Sequence, residues 1–155
     1  MFPDEKFPCL SGFHFQEIQV FQVPEVHATS SSDATLPCTY NISGVEAIIG
    51  TYKWYRHLVR YGPEVSDSNK GFTGRISRVN TDLFINTRSA QITIHNVILL
   101  DTGYYYCEVT FLHHGGEISR HGAGTLLNVT DLISTYFFLS HISLYLRFGA
   151  GSVEV

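Results

Sequence analysis

The chain has 155 residues, with 10 Lys+Arg against 14 Asp+Glu, a net charge of −4 with histidine neutral, and three cysteines. At 44% apolar and 15% charged it is not a disordered polyelectrolyte, and without clustered Lys and Arg it is not a nucleic-acid binder. The length suits one domain with tails, and 14% aromatic residues beside one Trp and one Met favour a β-rich core.

In chain order, residues 1–14 come first and read as a tail. Asp4, Glu5 and Lys6 stand where the apolar run of a secretory leader, about 7–15 residues long, would begin, so no signal peptide is expected there. This tail also carries Cys9. From 15 to 130 the pattern is one of short alternating strands. Ala34, Leu36, Cys38 and Tyr40 share one face of a period-two segment, Ile92 and Ile94 do so in another, and Tyr105, Cys107 and Val109 in a third. Turn residues cluster at 30–33, 66–71 and 80–82, and no helical apolar stripe of useful length interrupts them. Such spacing predicts an all-β sandwich or barrel. Residues 131–155 read as a second tail. Its apolar stretch 132–146 is fifteen residues long with three serines and His141, whereas a spanning helix needs roughly 20. It reads as loosely packed chain, either a cut-short anchor or translated overhang beyond the domain's exon.

Catalytic and metal chemistry find no support in the motifs. His113, His114 and His121 surround one loop, but the spacing matches no zinc template and adjacent strand histidines point to opposite faces. Solvated histidines and no cofactor are the expectation. There is no Gly-X-Ser-X-Gly elbow, phosphate loop or HExxH, and the carboxylates are scattered. The expectation is therefore no enzyme and no small-molecule substrate.

One constellation decides the architecture: Cys38, Trp54 and Cys107, with DTGYYYC at 101–107. It resembles the immunoglobulin-type Greek-key sandwich, in which two cysteines join the facing sheets, a Trp packs on the bridge, and a Tyr two residues before the second cysteine ties a corner. Tyr105 holds that position. Fifty-two residues separate Trp54 from Cys107, which suits a variable-type (V-set) domain with its extra C′ and C″ strands. Arg75 sits where such domains pair an Arg with the Asp of the DTG motif, here Asp101. The last strand, HGAGTLLNVT, carries paired glycines that permit a bulge, although His121 replaces the aromatic found there in antigen receptors. With Cys38 and Cys107 joined, Cys9 is the odd thiol.

Across about 17–129 the sequence is similar to the natural cytotoxicity receptors, variable-type activating receptors of natural killer cells. The likeness is carried by LPCTYN (36–41), IGTYKWYR (49–56), GFTGRIS (71–77), FINTRSAQITIHNV (84–97) and GAGTLLNV (122–129). It implies a cell-surface, single-pass receptor whose front sheet and FG loop bind a protein ligand of the butyrophilin-related costimulatory family. It further implies an adaptor with immunoreceptor activation motifs, recruited by a membrane-embedded basic residue for which Arg147 is the one candidate. The family's contacts fall on Ile49, Gly50, Thr51, Phe84, Ile85, Thr110 and Leu112, and Phe111 joins them from the loop. An inhibitory or adhesion-type ligand, or an antigen-receptor-like chain paired with another variable domain, fits the same sandwich. Sequons at Asn41-Ile-Ser, read as a loop after the first cysteine strand, and Asn128-Val-Thr suit a glycosylated surface domain.

Overall fold

A computed structural model describes residues 17–43, 49–113 and 116–131. Cys9, His114, Arg147 and the apolar stretch 132–146 lie outside the described residues. Among the described residues ten strands form two facing sheets, joined by one short α-helix and one 3₁₀ turn (Leu99–Asp101): β1 (Glu17–Gln22), β2 (Glu25–Thr29), β3 (Ala34–Leu36), β4 (Cys38–Ser43), β5 (Gly50–Arg56), β6 (Ile76–Arg78), α1 (Thr81–Thr87), β7 (Ile92–Ile94), β8 (Gly103–His113), β9 (Gly116–His121) and β10 (Thr125–Thr130).

The front sheet runs β2-β10-β8-β5, with β9 also on β8. On the back, β6 and β3 flank β7, and β1 pairs with β4. The N-terminal strand thus changes sheets at Val23-Pro24, from an antiparallel partner in β4 to a parallel one in β10. β9 and β10 are one arm against β8, interrupted at residues 122–124. The interruption depends on Gly124, whose φ is +98° and whose Cβ, if present, would lie 2.6 Å from the Tyr106 ring. Gln22 fills the gap. Its amide donates to Tyr105 O at 3.0 Å and Thr125 Oγ1 at 3.1 Å, while its carbonyl accepts from Cys107 N and Gly124 N. A bulge frees backbone groups, and one half-buried amide satisfies three of them and the Thr125 hydroxyl as well.

The sheets are pinned where the sequence pattern places the pin. Cys38 and Cys107 form a disulfide with Cα atoms 6.5 Å apart, and Trp54, opposite Cys107 on β5, is fully buried. The indole N–H crosses to the other sheet and donates to Ala90 O at 2.8 Å. Closing a 69-residue separation removes roughly 4 kcal/mol of unfolded-chain entropy in the loop-closure account.

A second knot lies at the turn entering β8. The Tyr105 hydroxyl donates to Asp101 O at 2.7 Å, and Arg75 clamps the Asp101 carboxylate with bonds of 2.7 and 3.0 Å. Ile98 N–H adds a third bond to the same carboxylate at 2.9 Å. Burial pushes the Asp101 carboxyl up, but the bond from Arg75, the Ile98 amide and the charges of Arg75 and Arg56 outweigh it and hold the group below its ordinary value.

Two expectations are revised. No C′ or C″ strand is present among the described residues. Residues 57–75 fold as turns rich in Gly, Pro, Ser and Asp, and the single bridge Tyr55–Glu64 is all that represents C′. Asn41, expected in a loop, lies within β4 and is exposed. The back sheet also carries a polar ladder across β3, β7 and β6, with Asp33, His95 and Ser77 linked by contacts of 2.8 and 2.6 Å. Asp33 stands directly opposite His95, one residue beyond the Ala34–Ile94 pair, so the ladder follows from strand register.

Because Asp101 has a folded pKa below its unfolded value of about 3.8, its contribution is complete above that value and disappears as pH falls through the lower one. Asp101→Asn should lose roughly 2–4 kcal/mol at neutral pH in denaturant unfolding. It should also show a shallower fall in stability than the parent below about pH 4. Equal stability at neutral pH would contradict the clamp.

Candidate functional site: the front face of the sandwich

Strand parity, counted from the buried pin, sets which side chains of the front sheet face solvent. Cys107 and Trp54 point inward, so Val109, Phe111 and Tyr52 do too, and all three are buried. The alternate positions form four cross-strand pairs down the outer face: Ile49–Leu112, Thr51–Thr110, Lys53–Glu108 and Tyr55–Tyr106. The third strand adds Glu117, Ser119 and His121, opposite Leu112, Thr110 and Glu108.

The uppermost pair is apolar and exposed. Ile49 is 60% and Leu112 54% exposed, and the Leu112 amide donates to Ile49 O at 3.1 Å. Below it, the Thr110 and Ser119 hydroxyls meet at 2.7 Å. The third tier is ionic. Glu108 has its side chain only 8% exposed and pairs with Arg60, while Lys53 reaches Glu64 at 3.3 Å. Burial, with the charge of Glu108 beside it, raises the Tyr55 phenol above its usual value, so it is a neutral hydrogen-bonding group at physiological pH. The lowest tier is aromatic, with Tyr106 stacked 6.5 Å from Tyr104.

The eight expected contact positions separate into two layers. Ile49, Thr51, Thr110 and Leu112 come together on the outer face. Phe84 and Phe111 do not: they are 1% and 3% exposed and belong to the core, and Gly50 and Ile85 are half-buried. Phe84 lies in α1 and points inward. Asn80 caps that helix by accepting from Leu83 N at 2.8 Å. The helix turns the Phe84 ring among Tyr40, Tyr52 and Phe111, at centroid distances of 4.9, 5.2 and 5.7 Å. The Tyr40 hydroxyl then donates to Phe84 O at 2.8 Å, and burial raises that phenol to about 12. Gly50 is required here, since a Cβ would fall 2.4 Å from the Phe111 ring. These aromatic residues form the floor on which the exposed pair stands.

Lys53, Tyr55, Glu108 and Tyr106 were not singled out from the sequence, although the parity that buries Cys107 and Trp54 places all four on this face. Asn41 is exposed on the other sheet and Asn128 is half-buried on β10. No group of His, Cys, Asp and Glu able to hold a metal occurs among the described residues, and no helix among them is long and apolar enough to cross a membrane.

Comparison with known proteins agrees with this architecture. The family profile described as Immunoglobulin V-set domain matches residues 22–130. Natural cytotoxicity triggering receptor 3 of Rattus norvegicus is 36% identical over 98 residues, covering 63% of this chain and 51% of the relative. The Macaca fascicularis protein of that name is 32% identical over 133 residues, covering 78% of this chain and 76% of the relative. For the Homo sapiens protein the identity is 33% over 133 residues, with 78% and 66% covered. The chain therefore spans about half of the rat relative and from two thirds to three quarters of the primate ones. A solved structure of murine CRIg aligns with a TM-score of 0.58 at 16% identity, covering 74% of this chain and 98% of that one, a likeness of fold alone. With the profile covering the sandwich and the relatives exceeding 30% identity, the chain belongs to the immunoglobulin V-set family, in the non-enzymatic receptor group of natural cytotoxicity triggering receptor 3.

Proposed function

We propose that this domain is the ligand-binding ectodomain of an activating natural-killer-type receptor and engages a cell-surface protein through the upper front face. The observation that carries the reading is the exposed Ile49–Leu112 pair, on strands backed by the buried Phe84–Phe111 stack and bordered by hydroxyls and ion pairs. An apolar centre with a polar rim is the composition of a protein–protein contact, and the preformed floor limits the ordering cost of binding. A flat, open face suits a folded partner better than a small ligand. The resemblance read from the sequence motifs implies a ligand of the butyrophilin-related costimulatory family and recruitment of an adaptor with immunoreceptor activation motifs; the relatives support a protein ligand. They also support a location at the cell surface, with Asn41 as the better glycan acceptor because its side chain is exposed.

Multimerised chain should stain ligand-bearing cells, and Ile49→Asp with Leu112→Asp should weaken that binding at least about tenfold. Asp33→Asn on the back sheet should leave it unchanged. Comparable loss from both variants would contradict the front-face reading. The floor residue should behave differently. Phe84→Ala should cost about 3–5 kcal/mol of stability, whereas Ile49→Ser should stay within about 0.5 kcal/mol. When the chain is secreted from mammalian cells, Asn41→Gln should remove one glycan by intact mass. An unchanged mass would exclude Asn41 as the acceptor.

A further inference from the structure

The opposite end of the sandwich carries a second group of exposed apolar side chains. β8 spans eleven residues, Gly103–His113, so at about 3.3 Å per residue its ends lie roughly 30 Å apart. Leu112 stands near one end, and the turn of residues 98–102 precedes the other. In that turn Ile98, Leu99 and Leu100 are 43%, 49% and 78% exposed, and beside it Leu58, Tyr61 and Tyr104 are 62%, 91% and 50% exposed. Hydrogen bonds hold the two segments together: His57 N–H donates to Tyr104 O at 2.8 Å, and the Arg56 guanidinium donates to the carbonyls of Leu100 and Thr102. Concentrated exposure of large apolar side chains on one end of a small domain marks a contact surface.

Shape and charge select the kind of contact. Leu99 and Leu100 project from a single 3₁₀ turn, a convex tip rather than a groove. Such a tip suits a deformable medium that closes around it. The one carboxylate of the turn, Asp101, is buried and neutralised by Arg75, so the turn itself presents no free carboxylate, while His57 stands exposed on the adjoining loop. Aliphatic side chains flanked by Tyr and His have the composition of a segment that enters the lipid headgroup region.

The chain path points the same way. β10 runs antiparallel to β8 with Leu127 opposite Gly103, and Val129 N–H donates to Thr102 Oγ1 at 3.1 Å. The polypeptide thus leaves the sandwich beside the Leu99–Leu100 tip and runs on into the apolar stretch 132–146. On the reading of the chain as a cell-surface receptor, the bilayer lies on the side of this end, with the Ile49–Leu112 pair directed away from it.

We propose that the 98–102 turn is a membrane-contact site. Leu99 and Leu100 enter the headgroup region of a phospholipid bilayer, Tyr61 and Tyr104 lie at its surface, and His57 faces the phosphates. This rests on the reading of the chain as a cell-surface receptor, and it fixes the domain's orientation, holding the ligand face outward.

The test uses the full chain in a Cys9→Ser background, with a polarity-sensitive fluorophore on Leu100→Cys or, separately, on Leu112→Cys. Vesicles of phosphatidylcholine, with and without phosphatidylserine, should shift the Leu100 label to the blue and leave the Leu112 label unchanged. Adding Leu58→Ser and Leu99→Ser should abolish the shift. The proposal is overturned by no shift at Leu100 or by equal shifts at both positions. It is also overturned if the Leu100 label is already shifted without vesicles, which would mean that the chain's own 132–146 stretch covers the tip. Cell staining reads the ligand face independently: a chain that inserts Leu100 but stains no ligand-bearing cell sinks the front-face reading alone, and the converse result sinks this one alone.

Discussion

The Cys38–Cys107 bridge with Trp54 against it is the constraint on which the rest of the molecule depends. It joins the first residue of β4 to the middle of β8, and the indole bond to Ala90 carries the same connection to a third segment. Once these inward positions are fixed, the two-residue period of β5 and β8 leaves each neighbouring side chain one choice of face. Tyr52, Val109 and Phe111 must enter the core, and Ile49, Thr51, Thr110 and Leu112 must leave it. The candidate binding face is therefore a geometric consequence of the core, and a one-residue slip of β5 would put Gly50 in place of Ile49 beside Leu112.

Two polar devices hold the strands in that register. Gln22 locks the interruption between β9 and β10, where the front sheet would otherwise expose unpaired backbone beside Gly124. Arg75, Asp101 and Tyr105 fix the start of β8. With the middle of the arm and the start of β8 secured, β8 carries different surfaces at its extremities, an exposed apolar pair near Leu112 and an aliphatic tip beside Gly103.

Much of this is legible in the sequence because period two and a few rare residues specify it. Cys38, Trp54, Tyr105 and Cys107 are too informative in their spacing to suit another sandwich, and the Arg75–Asp101 pair follows from the same template. The inward placement of Phe111 is also encoded, four residues after Cys107 on the same face, although its aromatic character suggests a contact residue. Phe84 is harder. Its burial arises from a seven-residue helix, too short to form on its own, whose Asn80 cap becomes meaningful only when Tyr40, Tyr52 and Phe111 supply a cavity for the ring. Chain length between Trp54 and Cys107 accommodates C′ and C″ strands, but residues 57–75 spend it on turns, because Gly62, Pro63, Gly71 and Gly74 break any strand there. Gln22 carries no local signal, since its partners come from segments more than eighty residues away.

The central claim is that protein recognition occurs on the upper front face as a rigid, preformed surface. Amide hydrogen exchange of the chain, with and without its bound protein ligand, tests this most directly. Added protection confined to residues 49–53, 108–112 and 117–121, with the back-sheet strands β3, β6 and β7 unchanged, is the result the account predicts. Protection centred on those back-sheet strands, with the front face unaltered, would contradict it.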